Sequence, residues 1–535
     1  MHHLFVPYVQ RALAILATVA SAPLFAAEKP PPDRPNIVVI LIDDLPYAGL
    51  SATGNAYLET PHLDRVAKEG MFFTRAYSEV VCGPSRTSLI TGQNAARHGR
   101  TDNVPGVHPF ALMREPLLPA KRGGQLEPGA EPGAGFDLVQ GARLPEPVNP
   151  DAFTLVKALK AAGYTTGLSG KWHMTSQHLT PSAARALGFD FCGPPAARAK
   201  PYRDTGRVTD DAIRFIRDCT ASDRDGEFFL YLPFVAVHGG HVVPPEDQER
   251  WRQRLAGTTP GIPPDLLATL EFVDRSVGRV LDTLDELGIA DDTLVVLAGD
   301  NGGVCKKVHG EENKPFRMGK GSLYEGGIRV PLFMRWPGRI APGTRCDVPV
   351  HLADLMPTLC EAAGAAIAPG HVVDGVSLFP LFSGGSIPER TLCVHYPHYL
   401  VEGATTPTRV AIQGRYKILW SPYDHIAVEG RRVTPETMRY VPEPRVELFD
   451  LEADPGERHD LSAAQPEKVA ELRGLFEDFM KRTNARDVSP NPDYDATQPL
   501  FNTRDAALAK QIEQYRTISR DIAPLPETAR SADRP

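Results

Sequence analysis

The chain has 535 residues, 42% of them hydrophobic and 23% charged, which is ordinary for a globular protein and enough for more than one core. Its formal net charge is −8 and no long basic run occurs, which speaks against nucleic acid as a partner. An anionic substrate would have to be drawn by a local site, since the global field repels it.

Residues 1–27 read as an export signal. Arg11 precedes the apolar run "ALAILATVASAPLFAA", with small residues at Ala22, Ala26 and Ala27. The run falls short of the ~20 residues a spanning helix needs, so cleavage and no stable membrane insertion are expected. "EKPPPDRP" then forms a stiff linker. No Asn-x-Ser/Thr triplet occurs, which leans toward a bacterial source and a periplasmic or secreted location. The seven cysteines (82, 192, 219, 305, 346, 360 and 393) are an odd number and show no metal-knuckle spacing. A large core needs few staples, so one or two disulfides at most are expected.

The first predicted strand, "NIVVILIDD", ends at Asp43 and Asp44. "VCGPSRTSLITG" follows, with Pro84 suited to the first turn of a helix and Gly92 to its cap. Cys82 then lies just ahead of a helix N-terminus, where anions are favoured, and Arg86 about one turn in. One reading of Cys82 is a thiolate nucleophile with a lowered pKa. Residues 104–150 are long and rich in Pro and Gly, either a functional loop or a solvated insertion. "TTGLSGKWH" ends at Lys171 and His173, "EFFLYLPFVAVH" at His238, and "TLVVLAGDN" at Asp300 and Asn301.

Apolar runs of this kind fit strands buried on both faces of a parallel sheet. Leu155, Val156 and Leu159 follow helical spacing, as do Leu266, Leu270, Val273, Val277, Val280, Leu284 and Leu287. Alternating strands and helices predict an α/β domain whose ligands sit beyond the carboxyl ends of the strands. A lone acid after a strand is usually a cap. His238 and His241 could each be satisfied core histidines. Four strand ends that are all acidic, amide, Lys or His are harder to explain that way. Asp43, Asp44, Asp300 and Asn301 offer only oxygen, which suits Ca²⁺ or Mg²⁺ over Zn²⁺. Lys171 cannot easily be buried without an anion beside it.

These motifs together resemble a type I, formylglycine-dependent sulfatase of the alkaline phosphatase superfamily. "CGPSR" with "TSLITG", "PNIVVILIDD", "GKWH", "GDNGG", "GKGSLYEGGIRVPLFMRWPG" and "DLMPTL" carry the likeness, from Arg34 to about Leu461. The resemblance implies an α/β fold with a large, mostly parallel sheet between helices and a smaller C-terminal antiparallel sheet plus helix. It implies that a maturation enzyme oxidises Cys82 to Cα-formylglycine. Asp43, Asp44, Asp300 and Asn301 would bind Ca²⁺, less often Mg²⁺, and matured residue 82 would contact the ion. Arg86 would steady residue 82, and Lys171 and Lys320 would hold sulfate oxygens. His173 would bond residue 82 as its hydrate, and His238 would face the leaving oxygen. The implied reaction is hydrolysis of sulfate esters, with an exported enzyme pointing to sulfated saccharides. A formylglycine-dependent phosphodiester or phosphonate hydrolase and a small aryl sulfate hydrolase are the alternatives.

The sequence departs from the family pattern in "AVHGGHV", where His241 competes with His238, and in Met174-Thr175 after "GKWH". The expected division is a catalytic domain over 34–365, an α+β unit over 366–486 and an extension over 487–535. In the second unit "PTRVAIQGRYKILW" and "RVELFDLEADPGERHDL" read as antiparallel strands, and Pro466 opens a helix with Val469, Leu472, Phe476 and Phe479 on one face. "HYPHY" at 395–399 is either a core cluster or part of a sugar-binding rim. Asp300→Ala is expected to cost far more activity than stability, because it thins a crowd of anionic ligands.

Overall fold

The computed structural model describes residues 34–103, 139–140, 149, 151–174, 180–193, 205–221, 226–238, 243–257, 261–304, 310–398, 400, 403–423, 425–428, 438–441 and 443–490. The proposed export segment, Cys305, His241, Tyr399, most of 104–150 and the chain beyond 490 lie outside these residues.

A mixed eight-stranded sheet forms the centre. Its strands are β1 (Asn36–Ile42), β2 (Met71–Phe73), β3 (Thr165–Leu168), β4 (Phe191–Cys192), β5 (Phe228–Phe234), β6 (Thr293–Gly299), β7 (Leu332–Arg335) and β8 (Thr344–Cys346). Their spatial order is β8-β2-β7-β6-β1-β5-β3-β4. The run β6-β1-β5-β3-β4 is parallel throughout, while β7 is antiparallel to both its neighbours.

Both faces of β1 are covered, which is why its sequence is continuously apolar. Val38, Ile40 and Ile42 pack with α1 (Pro61–Lys68) and with two helices further along the chain, Thr205–Cys219 and Pro264–Glu286. Ile37, Val39 and Leu41 face the opposite layer, which contains α2 (Cys82–Thr91), Leu155–Ala161 and Leu355–Ala362. Residues of successive parity point to opposite faces of a strand, so one seven-residue run builds two cores.

A separate four-stranded antiparallel sheet contains Leu392–Tyr396, Thr408–Gln413, Tyr416–Ser421 and Arg445–Asp450. Leu472, Phe476 and Phe479 of the helix Pro466–Thr483 cover one of its faces. On the other side Lys417 is fully buried between two acids, with Nζ 3.0 Å from Glu325 and 2.8 Å from Glu457. Arg329 donates to the same Glu325 at 3.0 Å, so the pair of acids faces a pair of cations. This closed set ties the small sheet to the segment carrying Lys320.

The described part of the "HYPHY" run, residues 395–398, is buried. His395 packs on Phe476 with ring centroids 6.0 Å apart and bonds the Arg486 carbonyl, and Tyr396 is buried. Cys82, Cys346, Cys360 and Cys393 form no disulfide. Among the described residues no helix is long and apolar enough to cross a membrane.

Candidate active site

Four adjacent parallel strands end on one edge of the central sheet, and each delivers side chains from the residues that follow it. β1 is followed by Asp43 and Asp44, β6 by Asp300 and Asn301, β3 by Lys171 and His173, and β5 by His238. The turn after β1 is clipped to the turn after β5 by Val237 N–H donating to the Asp43 carbonyl at 2.7 Å. Asp44 adopts φ +57°, a region that a short polar side chain tolerates. Gly170 has φ +128°, and a Cβ there would stand 2.1 Å from the Pro233 carbonyl oxygen. Glycine is therefore what lets the Lys171 turn close onto β5.

Helix α2 starts at Cys82 itself, one position earlier than its proline suggested, with Val81 extended as the N-cap. Cys82 Sγ donates to Asp43 Oδ1 at 3.2 Å and lies 3.9 Å from Asp44 Oδ1. Arg86, fully buried, sends Nε and Nη2 to Asp300 Oδ2 at 2.9 and 2.7 Å and Nη1 to the Lys171 carbonyl at 2.8 Å. Lys171 bonds Asp43, and Lys320 Nζ is 2.9 Å from Asp44 Oδ2. His238 Nε2 lies 3.9 Å from the same oxygen, on a partly exposed side chain at the edge of the site. The structure thus brings together all ten residues expected from the sequence. His241 lies outside the described residues.

Charge in this site is set by burial and by pairing. Burial pushes the Asp43 carboxyl up, but Lys171 and Arg86 outweigh it and hold the group well below the usual carboxylate range. Burial and the nearby Asp43 charge push Asp300 up to about 6 despite Arg86. The Cys82 thiol is pushed well above its ordinary value, first by burial and then by Asp43. That is the opposite of an activated thiolate, so the cysteine-nucleophile reading does not fit this setting. Burial followed by Lys171 and Arg100 holds His173 neutral, and neither of its ring nitrogens has a hydrogen-bond partner.

The donor set also fits a cation. Ligand atoms of Asp43, Asp44, Cys82 and Asp300 lie within 4.8 Å of one another. Asn301 donates through Nδ2 to Asp44 at 2.8 Å, while its Oδ1 is buried with no partner. A buried, unpaired amide oxygen beside three carboxylates is what an oxygen-seeking divalent ion would satisfy.

Three further residues behind α2 were not visible in the sequence. Asn103 Oδ1 accepts from the Gly83 N–H at 2.9 Å, and Arg100 bonds the carbonyls of His173 and Met174. Glu79 is buried, accepting from Ser88 Oγ at 3.2 Å and Ala95 N–H at 3.0 Å. Among the described residues no cation balances it: His351 is 3.8 Å away and is itself held down to about 4, chiefly by burial. Burial pushes Glu79 from its ordinary 4.5 up to about 7. The folded chain therefore keeps a proton that the unfolded chain loses. Stability should fall as pH rises from 4.5 to about 7 and then level off. The loss is on the order of 3 kcal/mol. Glu79→Gln should flatten that fall, which urea denaturation at about pH 5 and about pH 8 would measure. Equal pH dependence in the variant and the parent would contradict this assignment.

Comparison with known proteins points to one family. The sulfatase family model matches residues 35–365, and the model for the C-terminal part of N-sulphoglucosamine sulphohydrolase matches 316–484. Arylsulfatase A of Homo sapiens is 30% identical, covering 82% of this chain and 87% of its own. N-acetylgalactosamine-6-sulfatase of Mus musculus is 31% identical, covering 88% of each chain. A solved structure of Ps i-CgsB with k-i-k-neocarrahexaose superposes with TM-score 0.63 at 22% identity, covering 93% of this chain and 99% of that one. Another, in complex with its substrate D-glucosamine-2-N,6-O-disulfate, gives TM-score 0.63 at 20% identity over 84% of this chain and 98% of that one.

Proposed function

The chain belongs to the sulfatase family, as a type I member of the alkaline phosphatase superfamily, and we propose that it removes sulfate from a saccharide with Cα-formylglycine at position 82 and Ca²⁺ as cofactor. It is a sulfuric ester hydrolase. The observation that carries the finer reading is the convergence of four strand ends on Cys82, at the N-terminus of α2, with the Asn301 oxygen left unsatisfied. The saccharide half is supported by relatives whose names specify sulfated sugars. Export to a periplasmic or extracellular space, where sulfated polysaccharides are met, is part of the same proposal.

When present, the hydrated formylglycine supplies one hydroxyl to attack sulfur and a second to expel sulfate, while the ion polarises the ester. The chain's own residues do the rest. Asp43, Asp44, Asp300 and the Asn301 oxygen would hold the ion. Arg86 neutralises Asp300 and braces it from behind, linking it to the Lys171 carbonyl. The ammonium groups of Lys171 and Lys320 face the same centre and offset charge on the sulfuryl oxygens. His173, neutral and with both ring nitrogens unpartnered, would accept from a hydroxyl of residue 82 once that residue is converted. His238 stands at the edge, where the leaving oxygen departs, and donates its proton there. On balance the His238 pKa is lowered, chiefly by burial, with Asp44 opposing that shift in part.

A sugar alkoxide needs that proton, whereas a nitrophenolate hardly does. His238→Ala should therefore slow a sulfated monosaccharide on the order of 10²-fold more than it slows nitrophenyl sulfate. Equal losses would mean that His238 positions the substrate and does not donate. Good turnover of aryl sulfates with none of any sulfated saccharide would overturn the saccharide reading and favour a small aryl sulfate, as the arylsulfatase A relative would suggest.

A further inference from the structure

An arginine with no acidic partner among the described residues lies behind residue 82. Arg100 follows the short helix Ala95–His98 and its cap Gly99, and is 1% exposed. Among the described residues no carboxylate pairs with it, and burial pushes its pKa down to about 9. A cation is rarely buried this way unless it holds something. Its Nη2 donates to the His173 carbonyl at 2.9 Å and its Nη1 to the Met174 carbonyl, so one guanidinium spans two successive peptides. His173 has φ +58°, a conformation that an imidazole-bearing residue keeps only when its surroundings hold it.

The guanidinium also packs against Gly83. A Cβ at position 83 would stand 2.9 Å from Arg100 Nε, Arg100 Nη2 and Asn103 Oδ1. The backbone of Arg100 is itself tied to α2, since its N–H donates to His98 Nδ1 at 3.1 Å and His98 Nε2 meets Ser88 Oγ at 3.1 Å.

We propose that Arg100 is a positioning residue for the nucleophile: it clamps the turn carrying His173 against residue 82, and glycine at position 83 is what admits it. The proposal rests on the roles given above to residue 82 and His173. Arg100 has no contact with substrate in it and acts only through that turn.

Arg100→Met keeps the length and removes the donors. Its kcat on nitrophenyl sulfate should fall ~10²-fold with KM changed less than ~3-fold, since a misplacement near 1 Å costs about that much. In a His173→Ala background the same substitution should cost less than ~3-fold, because the group it positions is gone. Rates are normalised to the fraction of residue 82 converted, read by peptide mass. A ~10²-fold loss in both backgrounds would overturn the proposal. Gly83→Ala reads the contact from the other side: a loss of ~10-fold or more in the parent, but ~2-fold or less beside Arg100→Ala. Equal losses in the two would also overturn it. Should Arg100→Met not fold, Arg100→Lys replaces it, since lysine keeps the charge but cannot reach two carbonyls; parental kcat in that variant would count against the clamp. Unfolding midpoints of the parent, Gly83→Ala, Arg100→Ala and the double variant should be non-additive. That readout needs no turnover, so a parent inactive on sulfate esters would overturn the chemistry while the contact still stood or fell on its own.

Discussion

Cys82→Ala is expected to abolish turnover, by on the order of 10³-fold or more, while leaving the protein folded. The side chain removed is small and 1% exposed. Its one close partner, Asp43, keeps Lys171 as a counter-ion, so no charge is stranded by the change. Loss of stability should stay within about 2 kcal/mol, typical of a small buried truncation. The rate loss comes from removing the atoms that become the nucleophile. An unconverted cysteine lacks the second hydroxyl that expels sulfate, so it should be nearly as inert as alanine. An alanine variant retaining more than about a hundredth of the parental rate would mean that the sulfur is attacked by some other group.

Asp300→Asn should remove both the ion and the activity. Asp300 is one of three carboxylates in the cluster and the one that carries Arg86. Asparagine keeps an oxygen for the Asp44 N–H, now 3.1 Å from Oδ1, but it loses the charge. Activity should fall on the order of 10³-fold, and Ca²⁺ binding measured by calorimetry should weaken at least ~10²-fold. Chelation of the parent should have the same effect, with Ca²⁺ restoring activity better than Zn²⁺. Full activity in a preparation shown by elemental analysis to be metal-free would contradict the ion's role. The expectation that Asp300→Ala costs far more activity than stability meets a substantial stability cost in the structure. That change would leave Arg86, fully buried, with only Asp43 at 3.6 Å, and should cost about 3–5 kcal/mol in its own right. Asparagine fills the same space, but its NH2 would face the Arg86 donors, so the stability of that variant is measured beside its activity.

The strand ends were legible because a strand buried on both faces leaves a long apolar run, and a polar residue at its close stands out. Asp43, His238 and Asp300 follow seven-residue runs. Lys171 follows a four-residue strand and was readable only through "GKWH". The antiparallel flank of the same sheet, Met71–Phe73 and Leu332–Arg335, is too short to show a period. Arg100 and Asn103 sit in a stretch with no periodicity, and the carbonyl that Arg100 holds is 73 residues away. Only chain closure brings them to residue 82. "HYPHY" misled in the other direction. Its aromatic and imidazole groups suit a sugar rim or a core equally well, and the helix that buries His395 begins some seventy residues later. In the small sheet, by contrast, the strands and the Pro466 helix followed directly from turn residues and apolar spacing.

The most direct test of the central claim is the mass of the peptide containing residue 82, taken from protein of known specific activity. The proposed chemistry predicts a species in which the cysteine sulfur has been replaced by a carbonyl oxygen, in a fraction that rises in proportion to activity across preparations. Full activity from protein carrying only the cysteine thiol at position 82 would contradict it.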